Sequence, residues 1–237
     1  MPEESTVRVN FGRPMPIFPL NAVVLLPHAV IPLHIFEPRY RQLVNDALDG
    51  TGQLAMAVFE GDRWKSEYHG RPPVRPAVCV AQIVQHHRFP DGRYNVALQG
   101  ICRAHIVREV PASQTRLYRE ALLEPVGVQR FDEAVLRPQR EALARLLSQP
   151  PLTDLRDAIT VREHLVDPQF PTSVLLDLVS LSFVTDPGAQ YRLLDQGDPR
   201  TRAAVLLDEL GDVKRLLERA QPQREGLEGA PKGVSWN

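Results

Sequence analysis

One change of pattern near Pro125 constrains this chain more than any other feature. Before it, short apolar runs alternate with turn residues; after it, apolar residues recur every three to four positions. Strand-type periodicity followed by helix-type periodicity predicts a segregated α+β protein rather than alternating β–α units. The 237 residues suffice for one large domain or two smaller ones, each with its own core.

In the first half, Met15 to Leu20 reads as a strand, and Pro16 and Pro19 exclude full pairing on both of its sides. Asn21 to Leu26 is apolar and ends at Pro27-His28. Ala29 to Phe36 is a second strand, with Pro32 marking an edge or a bulge. Pro38 fits the first position of a helix, and Tyr40, Leu43, Val44, Ala47 and Leu48 form its apolar stripe. Leu54–Glu60, Ala77–His86, Tyr94–Ile101, Ala104–Val110 and Leu117–Leu123 are further strands. Asp91-Gly92 signals a hairpin, and a bend is expected at Gly100. At least six strands and one small helix predict a closed or nearly closed barrel.

The second half reads as a helical bundle. Leu143, Leu146 and Leu147 mark a first helix that Pro138 starts or kinks, and Asp154–Leu165 a second. Thr172–Val184 is apolar on most sides and is expected at the bundle centre. A short helix through Tyr191–Leu194 follows. Asp198 then caps a last helix whose face is Leu206, Leu210, Val213, Leu217 and Ala220. Beyond Ala220 the chain is rich in proline, glycine and charge, and a disordered tail is expected.

Composition excludes several function classes. The formal net charge is -1, so no broad attraction to nucleic acid or anionic lipid is expected. No apolar stretch approaches the roughly 20 residues of a membrane span. The N-terminus has no apolar signal-peptide core, and Cys79 and Cys102 lie singly in apolar runs, which together predict a cytoplasmic protein. There is no phosphate-cradling G-x-x-x-x-G-K-[ST] loop, no G-x-S-x-G elbow and no G-x-G-x-x-G turn. A Ser–Lys dyad would need Lys65, Lys214 or Lys232, which fall in a loop, on a charged helix face and in the tail. His86 and His87 are adjacent on a strand and point to opposite faces, so they do not share a metal. No cofactor or metal is expected.

The most specific stretch is Pro16 to Leu48. Pro19, Leu20, Pro27, Pro32, Leu33, Ile35, Phe36, Glu37, Arg39 and Tyr40 stand at the spacing found in the N-terminal, substrate-binding domain of Lon proteases. Leu98–Arg103 resembles that family's l-x-G-x-x-R strand. Tyr191–Asp195 with Asp198 and Arg202 resembles its passage into the last helix. The resemblance covers roughly residues 14–220 and implies a PUA-like β-barrel followed by a helical bundle. The organisation expected is a flexible N-terminus at 1–13, the barrel at 14–125, the bundle at 126–220 and a tail at 221–237. In Lon proteases this domain precedes an ATPase and a Ser–Lys peptidase, neither of which has a counterpart in these residues. The resemblance therefore implies a non-catalytic module.

That module is expected to bind unfolded or partly folded polypeptides, with a protease or chaperone as a further candidate partner. Leu26, His28, Trp64, Tyr68 and Phe89 are the candidate contacts, because they lie in or beside loops where anchors are usually presented. An alternative is a nucleic-acid- or small-ligand-binding module built on His86, His87, Arg88, Phe89 and Arg93, which the near-zero net charge disfavours. Self-association is open between a monomer and a weak homodimer.

Overall fold

A computed structural model describes residues 7–67, 70–127 and 131–228. The strands are β1 (Met15–Leu20), β2 (Val30–Ile35), β3 (Gln53–Val58), β4 (Ala77–Arg88), β5 (Tyr94–Glu109) and β6 (Arg119–Val126). Helix α1 (Pro38–Leu48) interrupts them, and α2 (Glu133–Leu147), α3 (Arg156–Val166), α4 (Thr172–Phe183), α5 (Pro187–Asp195) and α6 (Pro199–Glu228) follow. The expected order, strands and then helices, is the observed one.

The strand pairings form a ring. β1 runs parallel to β3, β3 antiparallel to β4, β4 to β5, β5 to β6, and β6 back to β1. β2 lies outside this ring, on the N-terminal half of β5. Closure depends on β5 being one long strand. Its register shifts where Ala81 pairs with Gly100, so its first half serves β2 and its second half serves β6. The hairpin joining β4 and β5 turns at Asp91-Gly92, where Gly92 takes φ +81°.

At β3 both faces of the ring are covered, and every residue of that strand is buried. Ala55, Ala57, Ala104 and Ala121 fill the inside together with Ile17, Val78, Val80 and Leu123. Small side chains dominate there because a narrow ring leaves little volume. Leu54, Met56 and Val58 point outward, to the cluster shared with Leu43, Val44 and Ala47 of α1. Val9 and Phe11 pack against the inner cluster, and Gln53 donates to the Arg8 carbonyl at 2.9 Å. This part of the N-terminal segment, expected to be loose, is thus anchored by apolar burial at the barrel.

The bundle has its own core, in which Leu143 and Leu147 of α2 meet Leu175 and Val179 of α4 and Leu206 and Leu210 of α6. α2 is capped by Asp132, whose side chain accepts from the Ala134 amide, so Pro138 lies inside the helix and does not start it. The segment Asn21 to Leu26 forms no strand; Ala22 and His28 adopt left-handed φ values of 55° and 69° within it and just beyond. α6 extends through Glu228, past Ala220, and the expected tail from 229 onward lies outside the described residues. Among the described residues, no helix is long and apolar enough to cross a membrane.

Candidate functional site

Two places in the molecule combine charge with a cavity. The first is the junction between barrel and bundle. Here the turn at 26–29 clasps Gly100: His28 N donates to Gly100 O at 2.9 Å, and Gly100 N donates to Ala29 O at 2.8 Å. A Cβ on Gly100 would stand 2.2 Å from Leu26 O, so only glycine lets the two backbones approach this closely.

Three residues further on, Arg103 reaches into the bundle. It donates to both carboxylate oxygens of Asp177 on α4, at 2.6 and 3.0 Å, and to Leu193 O at 3.3 Å. Arg202 of α6 stands on the other side of the same carboxylate, with Nε 3.2 Å from Asp177 Oδ1. It also donates to Gln196 O and Ser173 O. All three side chains are buried. Burial pulls the Arg202 guanidinium down to about 10 against the opposing pull of Asp177.

Further polar contacts seal the junction. The Ala77 amide donates to Tyr191 Oη at 2.7 Å, Arg75 lies 3.3 Å from the Tyr191 ring centre, and His105 Nε2 is 2.9 Å from Asp195 Oδ1. The stretches around Gly100–Arg103 and Tyr191–Arg202, remote in sequence, therefore meet here.

The second place is a cleft of about 240 Å³ at one end of the barrel. Ile17, Pro19, Tyr40, Phe59 and Tyr118 supply an apolar floor and wall. Arg39, Arg71, Arg116 and Arg119 supply its charge. Each arginine has an acidic neighbour. Glu109 accepts from both Arg71 and Arg119, Arg116 pairs with Glu120 at 2.8 Å, and Arg39 with Glu37 at 2.9 Å. Burial pushes the Glu109 carboxyl upward, but hydrogen bonds from Arg119 and Arg71 outweigh it, and the net direction is down. Trp64 stacks on Phe59 beside this cleft, with ring centres 6.2 Å apart.

The five residues singled out from sequence do not form one patch. Leu26 is fully buried in the barrel's outer core, because a leucine in a tight turn is better packed than exposed. His28 is exposed at the rim of the junction, and Trp64 borders the arginine-rimmed cleft. Phe89 lies at the β4–β5 hairpin, 4.8 Å from the His87 ring and 6.0 Å from that of His34. Tyr68 lies outside the described residues. Sequence reading assigned none of the arginines of these two places to a site. Arg103 and Arg202 stood in the motif-bearing stretches, but only the fold shows that one carboxylate joins them. Among the described residues, no three His, Cys, Asp or Glu side chains are grouped to hold a metal.

A ring of strands followed by a helical bundle is the fold of Lon N-terminal domains. It aligns with the N-terminal domain of a Mycobacterium avium complex Lon protease at TM-score 0.62 and 22% identity, over 84% of this chain and 99% of that one. A Lon N-terminal domain protein from Xanthomonas campestris aligns at TM-score 0.57 and 22% identity, over 83% of this chain and 98% of that one. Residues 14–212 match the family described as the ATP-dependent protease La (LON) substrate-binding domain, and the chain belongs to that family. Among curated relatives, Lon proteases of Trichlorobacter lovleyi and Desulfovibrio desulfuricans are 27% and 28% identical over 90% and 92% of this chain. The chain spans about a quarter of their length, 26% and 25% respectively.

Proposed function

We propose that this chain is a non-catalytic polypeptide-binding module that engages unfolded or partly folded segments and acts as an adaptor in protein quality control. The observation that carries the reading is the arginine-rimmed cleft. Its apolar floor offers burial for a client side chain at roughly 25 cal/mol per Å², and its rim offers donors to backbone carbonyls or acidic side chains. Salt bridges at the rim, such as Arg71–Glu109 with side chains 39% and 29% exposed, exchange partners at small cost, since exposed pairs contribute only about 0–1 kcal/mol. Membership of the Lon substrate-binding family supports the same reading. A protease or chaperone partner receiving the client completes the proposal.

The nucleic-acid alternative receives less support. Arg93 at the β4–β5 hairpin is paired with Asp91 at 2.6 Å, and Phe89 packs among His34, His87 and Arg93.

Hydrogen exchange on the purified chain, with and without reduced, alkylated casein, tests the proposal. Protection concentrated at residues 59–67, 70–75 and 111–119 is the expected result. A folded protein showing no protection there at saturating casein overturns it.

A further inference from the structure

The polypeptide-binding reading makes no use of the cavity at the barrel–bundle junction. That cavity has a volume of about 150 Å³ and is walled by His28, Cys102, Arg103, Ser173, Asp177 and Arg202. A single buried water needs only roughly 10–15 Å³, so there is room for a group of several heavy atoms.

Its charges do not balance. Two guanidinium groups, 7% and 5% exposed, share one carboxylate that is 4% exposed, which leaves one positive charge in excess. Neither of the other titratable side chains on the described cavity wall adds a negative charge. Although His28 is exposed at the rim, the partial desolvation of its ring there holds it below its ordinary pKa of 6.5. Burial pushes the Cys102 thiol up to about 11, so it carries no charge and is no nucleophile. Of the carboxylates outside this cavity's wall, Asp198 pairs with Arg200 and also acts on Arg202 through space, Asp195 faces His105, and Glu133 accepts from the amide and hydroxyl of Thr172.

Donors also remain. Among the described residues, Arg103 uses three N–H groups, on Asp177 and Leu193 O, and a guanidinium carries five. A buried cation in excess beside a cavity with unused donors is a site that an oxyanion completes, since the guanidinium fork matches carboxylate and phosphate geometry.

We propose that the junction cavity binds a small oxyanion, a carboxylate or phosphate group, between Arg103 of the barrel and Arg202 of the bundle. Because the two arginines belong to different halves of the molecule, the anion ties β5 to α6 and stabilises the folded state in proportion to its occupancy.

The test follows the His28 ring by NMR, and the unfolding temperature, in the full chain. Sodium phosphate and sodium acetate are titrated against sodium chloride at equal ionic strength. A saturable His28 shift, a rise in its pKa and a higher Tm with phosphate or acetate, and none with chloride, is the expected result. Ser173→Glu sets a tethered carboxylate at the cavity wall and weakens the response by at least about tenfold, as does Arg202→Met where it folds. A His28 response no larger than chloride gives, or one undiminished in Ser173→Glu, overturns the proposal. A short peptide compared with its C-terminal amide identifies the source. A response to the free carboxylate alone assigns the site to a chain end, and a response to phosphate alone assigns it to a free anion.

Discussion

The molecule uses arginine in two opposite ways. At the junction, Arg103 and Arg202 are buried around Asp177 and join strands to helices that are separated by many tens of residues. At the barrel-end cleft, Arg71 and Arg116 remain part-exposed in pairs with Glu109 and Glu120. The chemistry is the same and the environment differs. A buried pair cannot open without leaving a charge unsolvated, so it fixes geometry. A part-exposed pair opens into water at little cost, so it is available to a ligand.

Breaking the junction gives the largest effect. Asp177→Ala leaves two buried guanidinium groups without their shared partner and is expected to cost about 3–5 kcal/mol, read by urea unfolding of both halves. A cost below about 1 kcal/mol would mean that water already enters the junction. Tyr191→Phe comes next. It removes the acceptor of the buried Ala77 amide and is expected to cost about 1–3 kcal/mol, with faster exchange of that amide as the specific sign.

Arg71→Ala sharpens the contrast from the other side. Stability is expected to change by no more than about 1 kcal/mol, while affinity for alkylated casein falls several-fold in a binding titration. Equal effects on both would make the cleft structural. The smallest effect is a pH dependence. The folded-state pKa of Glu109 is depressed, so its contribution is present above the ordinary value of 4.5 and is lost as pH falls below it through the folded value. Glu109→Gln is therefore expected to flatten the acid limb of the stability curve, and an unchanged limb would place the acid sensitivity elsewhere.

Much of the fold was legible in advance because its periodicities are local. The α1 stripe of Tyr40, Leu43, Val44 and Ala47, the Asp91-Gly92 hairpin and the apolar α4 all stand in short windows of sequence. The candidate site was much less legible. Trp64 reads from sequence as a loop aromatic, but its partner Phe59 lies at the end of a strand run, and nothing local marks the two as stacked. Leu26 reads from sequence as a loop residue, yet its side chain turns inward while its carbonyl meets Gly100.

The sequence by itself determined the order of strands and helices, the hairpin, the cap at Asp198 and the family, because each rests on residues within a few positions of one another or on fixed spacings. Only the tertiary structure decided that β5 closes the ring by serving β2 and β6 with its two halves. It alone decided, too, that Arg103 and Arg202 share Asp177. Ring closure and ion clustering join residues that are distant along the chain, and their energies depend on burial and mutual geometry, which no local pattern encodes.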